Sequence, residues 1–137
     1  MTGIEISFDL SRIDFARTAA LVGESYWGVT RSVEQSRRAF ENSLCGAAYL
    51  DGAQIAFGRV VTDRAVFAYF ADVIVWPEHR GKGIGQTLIQ AFLDHPDLAE
   101  VGHFCLTTVD AHGLYAKFGF VASTDGRYMR LERQKQR

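Results

Sequence analysis

Apolar and polar residues follow one another with two different periods along the chain, and these periods divide it into strands and helices. Residues 4 to 9 alternate apolar and polar side chains, the two-residue period of a half-buried strand. From about residue 12 to 23 the apolar side chains recur at helical spacing. Ser11 precedes them, and Asp14 stands three residues later in an arrangement close to a capping box. A first strand and a first helix are predicted.

A second, more polar helix is predicted from about residue 32 to 43, and three apolar runs follow it. The runs cover residues 44–50, 54–61 and 65–76. The first two are separated by Asp51-Gly52, a pair that tolerates the positive φ angles of tight hairpin turns. The three runs are therefore predicted to form an antiparallel meander.

The second half of the chain continues with alternating helical and extended patterns. After Pro77 a glycine-rich segment leads into an apolar stripe at helical spacing, which stops near His95-Pro96. The remaining segments are predicted to be a strand, a short helix and two closing strands, over Val101–Val109, Ala111–Lys117, Phe118–Ala122 and Arg127–Leu131. The pattern predicts a mixed α/β fold whose largely antiparallel sheet has about seven strands, flanked by about four helices.

The length and composition of the chain are typical of one globular domain. The chain has 137 residues, of which 47% are hydrophobic and 23% charged, and it contains no repeat or Pro-rich linker. We expect a single domain over residues 1–137. The formal net charge of −1 provides no broad positive field for phosphate backbones, so nucleic acid is not an expected partner.

The compartment is inferred from what the sequence lacks. The amino terminus has no basic start or apolar stretch, and no run approaches the roughly 20 apolar residues that span a bilayer. Cys45 and Cys105 lie in apolar runs, which is typical of reduced, buried thiols. We expect a cytoplasmic protein with no membrane partner.

The most informative local chemistry is the segment Arg80-Gly81-Lys82-Gly83-Ile84-Gly85, which opens a predicted helix. The first amides of a helix lack intrahelical partners and lie at its positive end, so they suit an anion, while glycines let phosphate oxygens approach the backbone. The spacing alone leaves open a turn and helix start with no ligand.

Two other nucleotide motifs do not fit the same residues. A Walker loop needs a glycine where Trp76 stands and Ser or Thr after Lys82, where Gly83 stands. The dinucleotide fingerprint needs a third glycine where Gln86 stands, and it needs a parallel βαβ unit that the pattern does not provide. Both alternatives are excluded.

The stretch from Val73 to Leu88 resembles the acetyl-CoA motif of the GNAT superfamily of acetyltransferases. The core of that motif is Gln or Arg, two residues, Gly, one residue, and Gly or Ala, matched here by Arg80, Gly83 and Gly85. A second stretch, Ala111–Phe120, resembles a later motif of the family, in which Ala, Leu-Tyr and Gly-Phe recur at this spacing. The order of predicted elements also matches that fold, so the resemblance covers nearly the whole chain.

The resemblance implies a small, single-domain, bacterial-type N-acetyltransferase, an acyltransferase of class EC 2.3.1. It would pass an acetyl group directly from acetyl-CoA to a primary amine of a small molecule or peptide, with no metal, and a homodimer is left open. Thr108 departs from the family, where Asn is frequent. The implied cofactor-binding residues are Val73, Ile74, Val75, Arg80, Gly81, Lys82, Gly83, Ile84, Gly85, Gln86 and Thr108.

The resemblance also names a proton donor, whereas the proton acceptor is inferred from the sequence. A family Tyr matching Tyr115 commonly sits beside the sulfur as general acid; the alternative is that Tyr115 only packs its helix. Asp72 stands in an apolar strand just before the cofactor motif, where an isolated carboxylate is costly unless bonded or used. It is therefore a candidate base, with a buried structural hydrogen bond as the alternative. Glu24 and His112 are weaker candidates.

The acceptor amine is the least determined part of the prediction. Tyr26 and Trp27 fall where the first two helices of the family form one wall of the acceptor cleft, which would suit an amine with an apolar or aromatic group; core packing is the alternative for both. Two other functions stay open, a catalytically inactive acyl-CoA-binding regulatory module and a structural partner in an assembly.

Overall fold

The computed structural model of the protein describes residues 3–25 and 31–133, which contain five strands and four helices. The strands are β1 Ile4–Ser7, β2 Leu44–Leu50, β3 Ala53–Thr62, β4 Phe67–Val75 and β5 His103–Cys105. The helices are α1 Phe15–Glu24, α2 Val33–Glu41, α3 Ile84–Leu93 and α4 His112–Ala116. Two compact units result, Met1–Thr107 with the five strands and α1 to α3, and Thr108–Arg137 with α4. The single domain expected over residues 1–137 stays a prediction.

The five strands form one sheet in the order β1-β2-β3-β4-β5. The first four are antiparallel neighbours and β5 is parallel to β4. Asp51 and Gly52 make the turn between β2 and β3 with φ angles of 51° and 84°, and Leu50 pairs with Ala53 across it. Positive φ at both central residues matches the twist of the flanking strands, which confirms the predicted hairpin and meander.

The two N-terminal helices are fixed by side-chain caps. Asp14 accepts the N–H of Arg17 at 3.1 Å, so α1 begins at Phe15, and the start expected after Ser11 was wrong. The reason is that residues 10–12 form a separate 3-10 turn, in which Asp9 is the cap. Further along, Ser32 opens α2 with a capping box closed by Gln35, close to the predicted start.

Helices cover both faces of the sheet, which explains why β2 is a continuous apolar run. On one face, α3 buries Leu88, Ile89 and Phe92 completely. Burial of each such side chain stabilises the fold by about 1.5–3 kcal/mol. Gly46 permits the close approach, since a Cβ there would lie 2.9 Å from the Phe92 ring. A second cluster fills the other face: Val22, Phe40, Cys45, Phe57, Ile74 and Trp76.

The cysteines are unpaired, and only one is fully buried. Cys45 lies in the core, where its thiol donates to the carbonyl oxygen of Phe40 at 3.2 Å. Burial raises the pKa of the Cys45 thiol to about 12. Cys105 is half-buried, so the expected burial is confirmed for Cys45, Cys105 is more accessible than expected, and the reduced state of both thiols stays a prediction.

The two closing strands expected after α4 are absent from the described part of unit Thr108–Arg137. Gly119 and Gly126 take positive φ angles of 93° and 74°, and Asp125 accepts the N–H of Arg127 at 3.1 Å in a local turn. Four of the large apolar side chains in these segments are exposed, Val121 and Met129 to 87%, whereas Phe118 and Phe120 are half-buried. A segment of alternating apolar and polar residues forms a strand only where a neighbouring strand supplies the ladder hydrogen bonds.

No helix in residues 3–25 and 31–133 is long and apolar enough to span a membrane.

Candidate active site

The glycine-rich segment forms the turn that leads into α3. Gly81 and Gly83 both have φ of 79°, a left-handed conformation that favours glycine, and Gly83 is the N-cap of the helix. Gly83 has no side chain to cap the first turn, and a Cβ at either glycine would meet nothing within 4 Å. The first amides of α3 lie without a side-chain cap at the positive end of a ten-residue helix, with open space beside both glycines. A helix start of this kind suits an anionic group such as a phosphate.

The side chains of this segment differ in their burial and contacts. The Ile84 side chain is buried with the core, so any contact of Ile84 with a cofactor is made by its amide. Lys82 and Gln86 are exposed and line a groove of about 570 Å³ along α3. Arg80 is also exposed, and its Nε donates to the carbonyl oxygen of Val75 at 3.0 Å. That bond ties the loop to the end of β4.

The end of β4 lacks a neighbour on the β5 side of the sheet. β5 pairs with β4 only from Phe67 to Tyr69, where its own three residues end. In the described sheet, β4 continues to Val75 with β3 as its strand partner. Because alternate backbone groups of a strand face its two neighbours, half of the polar groups over Val73–Val75 have no ladder partner on the β5 side. The Ile74 side chain packs in the core cluster.

A β-bulge precedes this part of β4. The pairing of β3 with β4 shifts register, so that Asp72 and Val73 together lie opposite Gly58. Asp72 takes a φ of 55°, unusual for a residue other than glycine. A Cβ at Gly58 would lie 3.2 Å from the Phe92 ring and 3.4 Å from the Val73 side chain, so glycine lets α3 pack closely against the sheet beside the bulge. Bulges and strained backbone of this kind concentrate at functional sites, where they redirect a side chain.

The bulge holds the Asp72 carboxylate between two arginines. Oδ2 accepts from Arg31 Nη1 at 2.6 Å and from Arg59 Nε at 2.7 Å, while the Asp72 side chain is only 1% exposed. Oδ1 is also buried and has no hydrogen-bond partner among the described residues. Burial acts to raise the pKa of Asp72, but the hydrogen bonds and charges of Arg31 and Arg59 outweigh it and hold the pKa below its usual value. Asp72 is therefore a paired carboxylate.

The two arginines were not identified from the sequence. Arg59 also donates from Nη1 to Ser43 Oγ at 3.0 Å, and Ser43 in turn donates to the carbonyl oxygen of Ala39 at 2.7 Å. Arg59 carried a usable signal, since a charged residue inside an apolar strand needs a partner, and Asp72 stood in the neighbouring strand of the meander. Arg31 does not lie in an apolar strand, so nothing in the sequence indicated that it needs a charged partner.

More than one element of the chain falls within the range that matches a known family. Residues 41–122, more than half of the chain, match the family model described as the acetyltransferase (GNAT) domain. The matched range contains the β-bulge, the loop and α4. The chain belongs to the GNAT family of acetyltransferases.

Individual relatives agree with this GNAT assignment. A crystal structure of an acetyltransferase ascribed to the GNAT family from Xanthomonas campestris pv. campestris is 38% identical, covers 98% of this chain and 95% of its own, and has a TM-score of 0.90. The uncharacterized N-acetyltransferase ycf52 of Pyropia yezoensis is 29% identical over 73 residues, 53% of this chain. The alignment spans 42% of the length of that curated relative. Glucosamine-6-phosphate N-acetyltransferase from Arabidopsis thaliana shares the fold, with a TM-score of 0.65 at 20% identity over 94% of this chain and 99% of its own.

These matches confirm the predicted family and the mixed α/β GNAT fold, with five strands in place of about seven among the described residues.

Within unit Thr108–Arg137, Thr108 Oγ1 accepts the N–H of Ala111 at 3.0 Å and so fixes the start of α4. Tyr115 lies on α4 with 9% exposure, and its ring meets the Phe120 ring edge to face at 5.8 Å. The cofactor contact of Thr108 and the acid role of Tyr115 stay predictions.

The remaining candidates are placed as follows. Tyr26 and Trp27 lie outside the described residues. Glu24 ends α1 and His112 begins α4, both exposed. Within residues 3–25 and 31–133, no three His, Cys, Asp or Glu side chains come together as a metal-binding group.

Proposed function

We propose that the protein is an acetyl-CoA-dependent N-acetyltransferase acting on a primary amine of a small molecule or peptide. The observation that carries this proposal is the uncapped, glycine-shaped start of α3, tied by Arg80 to the end of β4, in a chain that belongs to the GNAT family. A cytoplasmic location and a homodimer stay predictions.

The cofactor would be held mainly by backbone groups. The amides from Gly81 to Gln86 would bind the pyrophosphate, and the edge of β4 over Val73–Val75, which lacks a neighbouring strand on the β5 side, would bind the pantetheine arm. Support comes from the open space at both glycines and from the end of the β4 to β5 pairing at Tyr69. Bound acetyl-CoA would supply a thioester, whose carbonyl carbon reacts with amines. Preorganised N–H donors of β4 are suited to stabilise the negative charge that develops on the carbonyl oxygen.

Tyr115 is proposed as the general acid. The reaction forms a bond between the amine nitrogen and the carbonyl carbon and breaks the bond between that carbon and sulfur. The departing sulfur takes a proton from the phenol of Tyr115. A thiol has a pKa near 8.5 and a phenol near 10, so this transfer requires contact between the two groups. The Tyr position in the second family motif supports the assignment.

The amine must lose a proton, and Asp72 is proposed to act in this step through water. A free alkylamine has a pKa near 10.4, as lysine does. Two arginines hold the pKa of Asp72 below its usual value, which makes its carboxylate a weak base. Its buried Oδ1 can still accept a hydrogen bond from the amine or from water beside it. Asp72 would therefore orient the nitrogen while water carries the proton away.

The test combines binding and turnover on one preparation. Acetyl-CoA should raise the melting temperature, because a ligand of the native state stabilises it by mass action. Free CoA should then appear with at least one member of a broad panel of amines. Binding without turnover of any amine would favour a regulatory acyl-CoA-binding module. Absence of binding would overturn the proposal.

A further inference from the structure

The ion-pair cluster on β3 and β4 contains more positive than negative charge. Arg31 and Arg59, with side chains 19% and 12% exposed, both pair with the single carboxylate of Asp72. In the described part of the chain, neither arginine has an ion pair with another residue. The segment 26–30, which precedes Arg31, contains no Asp or Glu. One positive charge of a mostly buried cluster is therefore not balanced by a protein carboxylate.

An unbalanced charge withdrawn from water is costly, and an anion placed beside it removes the cost. The hydrogen bonds described above occupy Arg59 Nε and Nη1 and Arg31 Nη1. Each guanidinium has five N–H donors in a planar fork, which suits the two oxygens of a carboxylate or phosphate. The cluster therefore has both the charge and the donors to receive an anionic group.

The same cluster presents a hydrogen-bond acceptor that lacks a donor. Asp72 Oδ1 is buried without a partner among the described residues, while Oδ2 of the same carboxylate takes both arginine bonds. A buried carboxylate oxygen left unbonded is unfavourable, and an ammonium or amine N–H would satisfy it. An amino acid carries both of the groups that the cluster lacks, an amine that can donate to Asp72 Oδ1 and a carboxylate that can accept from the arginines.

We propose that the acceptor is an amine that also carries an anionic group, a carboxylate or a phosphate. The anionic group would bind Arg31 and Arg59, and the reacting nitrogen would lie beside Asp72 Oδ1. This inference rests on the proposed function. It places the nitrogen next to Val73–Val75, the stretch proposed for the pantetheine arm, because Asp72 directly precedes it. Arg31 lies between α1 and α2, where the sequence predicts the acceptor cleft.

Amines matched except for the anionic group test this directly. The carboxylate arm compares a pool of the common α-amino acids with the pool of their amides. The phosphate arm compares O-phosphoethanolamine with ethanolamine. Release of free CoA should be at least about 10-fold faster, as kcat/KM, for the anionic member of one arm, the scale of a lost charge-assisted hydrogen bond.

The arms separate this inference from the proposed function. Equal rates for anionic and neutral amines, or turnover of neutral amines alone, would overturn the inference and leave the enzyme assignment intact. Failure of every anionic amine while acetyl-CoA still binds would overturn it too. If acetyl-CoA itself does not bind, the proposed function fails.

Variants of Arg31 provide the second measurement. Arg31→Gln should raise KM for the preferred anionic amine by about 10-fold or more, with acetyl-CoA affinity unchanged, and Arg31→Lys should restore part of the loss because it keeps the charge. Arg38→Gln, an exposed arginine of α2, is the matched control and should leave KM unchanged. An equal loss toward neutral amines, or in the control, would overturn the assignment. If Arg31→Gln does not fold, Arg31→Lys and the matched amines decide the question.

Discussion

The glycine loop before α3 and the cluster around Asp72 lie at opposite ends of the same short stretch of chain, but they use different chemistry. The loop is exposed and offers backbone amides, with two glycines at positive φ and no side-chain cap. The cluster is mostly buried and offers charged side chains, with one carboxylate between two guanidinium groups. A site made of backbone is sensitive to shape, whereas a site made of side chains is sensitive to the identity of each residue.

The largest effect is expected where the shape of the loop is changed. Gly83→Glu puts a side chain and a negative charge in front of the first amides of α3, at a φ of 79° that a residue other than glycine rarely adopts. Acetyl-CoA affinity should fall by about 10²-fold or more in a calorimetric titration. Gly102→Glu, also in open space but away from the loop, is the control. Unchanged affinity in a folded Gly83→Glu protein would remove the loop from the cofactor site.

Tyr115→Phe tests the side-chain chemistry of the second motif. The ring and most of its packing stay, but the proton donor is lost, so turnover should fall by roughly 10²-fold with acetyl-CoA affinity little changed. Tyr128→Phe, at an exposed tyrosine, should have no effect. Turnover of Tyr115→Phe within a few-fold of the parent would leave water as the proton source.

In the cluster around Asp72, replacing one carboxylate oxygen by an amide nitrogen should lower the free energy of unfolding. Asp72→Asn removes the charge that pairs with Arg31 and Arg59, leaving two largely buried cations without a partner. The free energy of unfolding should fall by about 2 kcal/mol, below the usual range for breaking a buried pair because both arginines keep some contact with water. Chemical denaturation measures it. Asp97→Asn, in an exposed pair with Arg64, should change it by less than about 0.5 kcal/mol. Equally small changes in the free energy of unfolding for the two variants would show that the buried pairs of Asp72 stabilise the fold no more than the exposed pair of Asp97.

The same carboxylate predicts how stability changes with pH. The pKa of Asp72 in the folded protein is held below the usual aspartate value of 3.8, so its ion pairs stabilise the fold above that value and are lost as the pH falls through the folded pKa. The stability difference between the parent and Asp72→Asn should therefore be constant from about pH 5 to 7 and shrink below about pH 4. Denaturation curves from pH 3 to 7 measure it. A difference that stays constant to pH 3 would contradict the assignment.

The smallest effect is expected for a side chain of the loop. Arg80→Gln removes a charge and the bond from Nε to the Val75 carbonyl oxygen. If the backbone binds the pyrophosphate, acetyl-CoA affinity should change by less than about threefold, the scale of an exposed charge. A 10-fold loss would show that the loop depends on side chains as the cluster does.

The two regions were also unequally predictable from the sequence. The loop could be identified because its residues are contiguous, and the spacing of Arg80, Gly83 and Gly85 reflects local backbone requirements. The partners of Asp72 could not, since Arg31 and Arg59 stand 41 and 13 residues away and meet it through the register and bulge of β3 and β4. The hairpin at Asp51-Gly52 was predicted for the same local reason as the loop. The closing strands were not, because alternation does not reveal whether a partner strand exists.

The central claim is that the amides at the start of α3 bind the cofactor. Amide resonances of ¹⁵N-labelled protein, followed during a titration with acetyl-CoA, test it most directly. The account predicts that the largest and saturable shifts fall on residues 81–86, with smaller shifts over Val73–Val75 and little change at the Nε–H of Arg59. Saturable binding that leaves residues 81–86 unshifted would contradict it.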